Sequence, residues 1–418
     1  MAEKGKESSL PRQSRRRTSK DHRERAPKRA CFLYYQHFNA LLYREAKAVQ
    51  EQGFEVDIIA LRPSGENRLF YKYEDMNVFG IQERSAAEKN FALYLFQLFL
   101  FYMKATLLLA VLAPERRYRL VHVTAPPDVM VFAAIFPKLF GARIILDIHD
   151  IGPELFMRKM NVAEDRLVIR LIKFLERVSV RFSDHVITVT DFWKDRLIAR
   201  SVKPSKITML LNVPDSELFR PTPAPVARTS FNLFYHGSVE EHFGIDTLLF
   251  AMPKIKAHIP HVHLHLYCGK KGRTYADCER IAKELNLGSY VKFHSGVPFQ
   301  DLPRTLSNAD MGIVPTKDSV FSNEAVSMKA LEYISMGIPI VISRTRAHDF
   351  YYDSSMVKFF EPRDSEQLAA AVIELYNSRE QREQQVRNAL AFLKQHGWNK
   401  SRQTYAAIVE TLTGGAKE

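Results

Sequence analysis

The chain is poor in cysteine, and the three it has, Cys31, Cys268 and Cys278, form no CxxC pair. Neither a disulfide framework nor a zinc knuckle is indicated, and a reducing cytosol fits that usage. No cluster of residues shows metal-ligand spacing. The first 28 residues contain no apolar core, which argues against a secretory signal. Their basic residues are not interleaved with aromatics, so single-strand nucleic acid is not the expected partner. What this stretch does contain is positive charge. Residues 1–30 hold eleven Lys/Arg against four Asp/Glu, contributing +7 of the chain's net +13. Residues 1–28 read as a disordered basic arm, suited to an anionic membrane surface, to nucleic acid, or to solubility alone. The membrane surface is the favoured of the three.

A chain of 418 residues, 46% hydrophobic and 11% aromatic, is globular and long enough for two or three domains. From Ala30 onward short apolar strands alternate with helical patterns, the rhythm of parallel α/β sheets. Strands are expected at ACFLYY (from Ala30), Phe54–Leu61, Val78–Ile81, Leu120–Val123, Arg143–Ile148, His185–Val189 and Lys206–Leu211. Helices are expected at Phe38–Gln52, Pro127–Phe140, Leu167–Phe182 and Asp191–Arg200. The Pro221–Pro225 run marks a linker. The same alternation restarts at Phe231 and continues to Tyr376, and Gln384–Leu412 reads as largely helical.

Phe91–Ala113 is apolar for most of its length and long enough to span a bilayer. Lys104 near its centre, and the strands resuming at Leu120, speak instead for a buried or membrane-surface helix.

Two places suggest ligand contact. His149 and Asp150 follow the strand Arg143–Ile148, and ligands gather at the C-terminal ends of parallel strands; equally, Asp150 could cap the next helix. Glu324 and Glu332 stand eight residues apart across a helical pattern closed by Gly337. Glu332, two turns into that helix, could accept from both hydroxyls of a ribose, Glu324 from sugar hydroxyls, with a diphosphate at the helix N-terminus between them. Two solvated glutamates on an amphipathic helix would show the same spacing. The glycine-bounded loop Gly237–Gly244 suits close approach of phosphate, although two glycines are a weak signal.

The second half resembles the nucleotide-binding domain of family 4 retaining glycosyltransferases, of the bacterial cell-surface polysaccharide type. The resemblance rests on FYHGSVEEHFGIDTLLFAM, VKFHSGVPFQDLPRTLSNADMGIVP and NEAVSMKALEYISMGIPIV, the last with that family's E-x7-E arrangement, Glu324 to Glu332. YREAKAVQEQGFEVDIIAL, ARIILDIHDIGPEL, SDHVITVTDFWKDRL and LNVPDSELFRP extend it through the first half. It implies a GT-B fold, two Rossmann-like α/β domains facing across a cleft. The N-terminal acceptor domain would occupy 29–220 and the donor-binding domain 226–395, with a helix in 396–418 crossing back. It implies transfer of a hexosyl or N-acetylhexosaminyl group from a nucleotide-diphosphate sugar, with no cofactor and no metal. By matching position, Glu332 would hold the ribose, Glu324 the donor sugar, and the main chain of Val326, Ser327 and Met328 the diphosphate. His149 would be the cleft histidine, Gly237 and Ser238 the phosphate-facing loop, and Val297 the loop beside the base.

One departure stands out. Many members carry Arg after the first glycine of that loop and Lys before the second, where this chain has Ser238 and Phe243. Developing diphosphate charge needs preorganised cations or donors. Lys329 is the first candidate substitute, ahead of Lys270, Lys271 and His242; a solvent-facing helix lysine is the plain alternative. The apolar stretch, the basic arm and the basic helix Leu167–Phe182 together suggest a lipid-linked saccharide acceptor and a cytoplasmic protein peripheral to the inner face of a membrane. A GT-B nucleotide-sugar epimerase and a non-catalytic nucleotide-sugar-binding protein remain as alternatives.

Overall fold

The computed structural model describes residues 27–63, 65–83, 91–160, 162–221, 229–268 and 272–414. The basic arm up to residue 26, the linker from residue 222, and Lys270 and Lys271 lie outside the described residues.

In the first half, β1 (Lys28–His37), α1 (Ala40–Gln50), β2 (Phe54–Arg62), β3 (Phe70–Tyr73) and β4 (Met76–Glu83) are followed by the long helix α2 (Phe91–Arg116). Then come β5 (Leu120–Ala125), a 3-10 segment Asp128–Ala134, α3 (Ile135–Leu139), β6 (Arg143–Ile148) and α4 (Gly152–Met160). α5 (Leu167–Phe182), β7 (His185–Thr188), α6 (Asp191–Arg200) and β8 (Ile207–Met209) complete it. Among the described residues, eight strands form one sheet in the order β3-β4-β2-β1-β5-β6-β7-β8. All its pairings are parallel except β3 with β4. Helices cover both faces, so the central strands are buried on both sides, and β1 is a continuous buried run from Ala30 to Tyr35.

The second half repeats the plan with β9 (Phe231–Gly237), α7 (Ile245–His258), β10 (Val262–Cys268), α8 (Arg273–Glu284), β11 (Val291–Ser295) and α9 (Leu302–Leu306). β12 (Met311–Val314), α10 (Met328–Ser335), β13 (Ile340–Ser343), α11 (Arg346–Tyr351), β14 (Lys358–Phe360) and α12 (Ser365–Asn377) follow. Its sheet runs β11-β10-β9-β12-β13-β14, parallel throughout. α13 (Arg379–His396) and α14 (Trp398–Thr413) close the chain.

The expected GT-B plan of two parallel α/β layers is present, and α14 does cross back. Trp398, Tyr405 and Val409 are buried in the first-half core beside Ala46, Leu120 and Ile145. Tyr405 Oη lies 2.8 Å from His122 Nδ1 on β5, and the Arg44 guanidinium sits 4.5 Å over the Trp398 ring.

The tail is helical as expected, in two pieces, α13 and α14. At Gly397 a Cβ would stand 2.4 Å from the Leu393 carbonyl oxygen, so the chain turns where glycine permits that approach. Pro127–Phe140 is not a single helix: Pro137 has no N–H to bond back to Ala133, and a regular turn starts only at Ile135. The edge strand β3 had no periodic signal and was not expected. Glu332 is the fifth residue of α10, one turn in rather than two, because the helix starts at Met328.

α2 lies along the sheet as a layer helix. Phe101, Ala105, Leu109 and Ala113, four residues apart, are its buried stripe, of which Phe101 and Leu109 contribute about 3–6 kcal/mol by burial. Phe99, Met103, Leu107 and Val111, at the same spacing on the other side, are exposed. α2 is long and apolar enough to cross a membrane by length and composition.

Candidate active site in the interdomain cleft

A cavity of about 350 Å³ opens between the two halves. The first half supplies His149, Asp150, Arg158, Val189, Thr190, Trp193, Leu211 and Asn212 to its wall. The second half supplies Glu240, His242, Phe243, Thr316, His348 and the run from Phe321 to Lys329, Asn323 and Glu324 excepted, with Leu331. Most of these residues follow the C-terminal ends of parallel strands, where side chains from both sheets converge.

The N-terminus of α10 points its resources into this space. Ser327 is the N-cap residue but makes no side-chain capping bond; Ala330 N–H donates to the Ser327 carbonyl at 3.1 Å, and the N–H groups before it stay available to an acceptor. Val326, Ser327 and Met328 all line the cavity. Lys329, one residue on, projects over the loop between β9 and α7. Its Nζ lies 3.9 Å from the Phe243 ring centroid and 5.4 Å from that of Tyr235. Gly237 makes this fit. At φ +111° a Cβ there would come within 2.9 Å of Lys329 Cε. The ammonium thus occupies the neighbourhood of Phe243, where the resemblance leads one to expect a loop lysine. Burial pulls its pKa down to about 8, Glu332 working the other way.

Glu332, on α10 itself, is buried and stands outside the cavity wall. His236 Nε2 lies 3.3 Å from its Oε2. Burial raises the Glu332 carboxyl to about 8, with Lys329 opposing. Burial, and then Lys329, push His236 down to about 3, so its imidazole is neutral. Glu324 stands in the turn before the helix, buried, and it too does not line the cavity. Its carboxylate is gripped by Arg196 of α6: Nε donates to Oε2 at 2.9 Å and Nη2 donates to Oε1. Arg346 Nη1 stands 3.7 Å from Oε1.

His149 reaches the cavity from β6 and is anchored behind. Its Nε2 is 2.6 Å from Asp147 Oδ2. Burial alone would lower the imidazole, but Asp147 outweighs it and the pKa rises to about 9. Burial works against the Asp147 carboxylate in turn, and His149 and His122 hold it well below the usual range. His122 Nε2 lies 3.3 Å from Asp147 and 3.5 Å from Glu45. No metal-ligand cluster was legible in the sequence, yet the fold brings Glu45, His122 and Asp147 within 4.8 Å of one another. His122 Nδ1 is taken by Tyr405 and Asp147 by His149, so the group forms a hydrogen-bonded chain behind His149.

The remaining expected residues are less central. Ser238 accepts from Tyr235 Oη through its main-chain oxygen at 2.7 Å, which shapes the loop, but neither Ser238 nor Gly237 lines the cavity. Val297 follows β11, half-buried and away from the cavity wall. Two residues of the cleft escaped notice entirely. Arg158 and Arg196 come from first-half helices, and nothing in their local sequence marks them. Asp147 could have been noticed, because an acid inside the apolar strand RIILDI has to find a partner.

A family model described as "Glycosyl transferases group 1" matches residues 230–378, and one described as "Glycosyl transferase 4-like domain" matches residues 39–212. The chain belongs to the family 4 glycosyltransferases. A curated relative is the GDP-mannose-dependent alpha-(1-6)-phosphatidylinositol monomannoside mannosyltransferase of Mycolicibacterium smegmatis. It is 28% identical over 104 residues, covering 24% of this chain and only 27% of that enzyme's length. Solved structures share the GT-B fold across nearly the whole chain. Sucrose-phosphate synthase from Thermosynechococcus elongatus superposes with a TM-score of 0.74 at 17% identity, covering 93% of this chain and 100% of that one. A glycosyltransferase from Rickettsia africae gives 0.71 at 13%, covering 93% and 100%. Anabaena HepE in complex with UDP-glucose gives 0.69 at 15%, covering 92% and 99%.

Proposed function

We propose that this glycosyltransferase takes a nucleotide-diphosphate sugar into the interdomain cavity and transfers the sugar with retention to a saccharide or lipid-linked saccharide. The observation that carries the reading is Lys329. It stands on the first turn of α10, over Gly237, at the cavity wall, and makes no ion pair among the described residues. A half-buried ammonium that no carboxylate meets at ion-pair distance, beside open helix N–H groups, suits a diphosphate.

In this reading the diphosphate lies at Val326–Met328 and the ribose hydroxyls reach toward Glu332. The bond between the anomeric carbon and the phosphate oxygen breaks, and the acceptor oxygen bonds the same face. The acceptor proton passes to the departing phosphate oxygen. Lys329 and the α10 N–H groups stabilise the charge on that oxygen. His149, protonated at neutral pH by virtue of Asp147, donates toward the sugar. Closure of the two halves keeps water out.

The acceptor side is read from the exposed apolar faces of α2, α3 and α5, which flank the Asp128–Ala134 segment. Leu139 and Leu167 are 75% and 81% exposed, and Arg170, Arg177 and Arg181 stand exposed on α5. A face both apolar and basic suits an anionic membrane carrying a lipid-linked acceptor. A relative described as acting on a phosphatidylinositol mannoside is consistent with that.

The test is a panel of UDP-, GDP- and ADP-sugars, read by thermal shift and donor hydrolysis, on wild type, Glu332→Ala and Glu324→Ala. One donor should stabilise the wild type and lose its effect in both variants. If no donor binds the wild type, the reading is wrong.

A further inference from the structure

Arg158 is a second unpaired cation in the same cavity, and it comes from the other domain. It stands half-buried on α4 of the first half, yet both groups it touches belong to the second. Its guanidinium lies 4.5 Å from the centroid of the Phe321 ring. Its Nη1 is 2.6 Å from His242 Nε2. Burial first, then the charge of Arg158, push His242 down to about 3, so the imidazole is neutral and accepts. That uses one of the five N–H donors of a guanidinium. Arg158 makes no ion pair among the described residues, and burial lowers its own pKa. Glu240 and Asp150, both on the cavity wall, favour its charge from beyond ion-pair distance, and a cation partly withdrawn from water with no carboxylate in direct contact has donors left for an anion.

The placement says which anion. His242 and Phe243 are neighbours, their ring centroids 4.0 Å apart. Arg158 donates to Nε2 of the first ring and Lys329 lies over the second. The loop that holds them, GSVEEHFG, has no Lys or Arg of its own. The two cations that flank this loop without an ion pair among the described residues are therefore one from each domain, and both line the cavity that the N-terminus of α10 also lines.

We propose that Arg158 is the second diphosphate-binding cation of the donor site, contributed across the cleft by the acceptor domain. This rests on the donor reading above. The pair Arg158 and Lys329 would grip a diphosphate from two sides, and a monophosphate would be too short to engage both. Diphosphate binding then requires the two halves to be together, and the diphosphate left after transfer ties them until they part.

The test is calorimetric titration of UDP, GDP and ADP, each beside its monophosphate, into wild type, Arg158→Met and Arg158→Lys. Thermal melts establish that each variant is folded. Arg158→Met should weaken the preferred diphosphate about 10- to 100-fold, the order expected for a lost charged hydrogen bond, while its monophosphate changes by less than about 3-fold. Arg158→Lys keeps the charge without the fork and should fall between. Unchanged diphosphate affinity in Arg158→Met overturns the inference, as does equal weakening of both nucleotides, which would mark a packing role against Phe321. If Arg158→Met does not fold, Arg158→Lys decides, and a lysine variant indistinguishable from wild type on diphosphate counts against the proposal. Wild type that binds none of the nucleotides brings down the donor reading itself, and this inference with it.

Discussion

Arg196 and Glu324 form a two-pronged ion pair across the domains, α6 of the first half holding the turn that precedes α10 in the second. Glu324 is buried, and Arg196 also lies 3.4 Å from Glu154. Removing Arg196 leaves the carboxylate with only Arg346 nearby. Breaking a fully buried pair costs about 3–5 kcal/mol, and because Arg196 is a third exposed we expect about 1–3 kcal/mol from Arg196→Met. Urea unfolding measures this. In a double-mutant cycle with Glu324→Gln the two losses should fall short of additive by about 1 kcal/mol or more. Strict additivity would mean that the pair does not couple the halves.

The second prediction concerns pH. His149 has its pKa raised from 6.5 to about 9 by Asp147 against the opposing effect of burial. A raised base contributes stability that is present below pH 6.5 and is lost as pH rises through about 9. Wild type should therefore lose stability across that window, and turnover should fall on the same limb if protonated His149 assists the donor. Asp147→Asn removes the cause and should move the limb to pH 6.5 or below. A pH profile unmoved by Asp147→Asn would show that the imidazole does not titrate there.

Two glycines of one loop should behave differently on substitution. At Gly244, φ is +67° and an added Cβ would meet the Pro315 carbonyl oxygen at 1.9 Å. Backbone cannot yield that far, so Gly244→Ala should give little soluble protein. At Gly237 the nearest atom is Lys329 Cε, the far part of a flexible side chain, and strain is limited to the positive φ, about 1–2 kcal/mol. Gly237→Ala should fold but displace Lys329, so donor affinity drops more than stability does. Soluble yield, melting temperature and nucleotide titration together separate the two cases.

Much of this was legible beforehand, for a physical reason that also explains what was not. Central parallel strands are buried on both faces, so Ala30–Tyr35 and Arg143–Ile148 read as apolar runs without knowledge of their neighbours. The open N-terminus of α10 follows from the helix's own residues. Arg158 meets His242 across 84 positions, and Arg196 meets Glu324 across 128. Such contacts depend on how two domains face each other, which leaves no periodicity or spacing in either segment. The departure at Ser238 and Phe243 did carry information, since it says that charge must come from elsewhere. Lys329 could be suggested because it is near in sequence to Glu332, and Arg158 could not.

The last prediction concerns the outer face of the acceptor domain. α2 exposes Phe96, Phe99, Leu107 and Val111, and α5 exposes Leu167, Leu171 and Phe174. Both helices pack on the same side of the sheet, with exposed Phe136, Leu139 and Phe140 between them. Monomeric soluble proteins rarely leave a contiguous apolar area of this kind bare. The arginines on α5 select an anionic occupant, each worth about 1 kcal/mol near a charged bilayer surface. The protein should co-sediment with vesicles of phosphatidylcholine and phosphatidylglycerol at low salt and bind phosphatidylcholine alone less. Salt should weaken the attraction, because the arginine contribution is screened. Leu171→Glu with Phe174→Glu should abolish binding with little change in melting temperature, since both side chains already face water. Donor hydrolysis should survive in that variant while transfer to a lipid-linked acceptor falls. Equal sedimentation of wild type and variant would place the contact elsewhere, and no sedimentation of wild type at low salt would remove the membrane from the account.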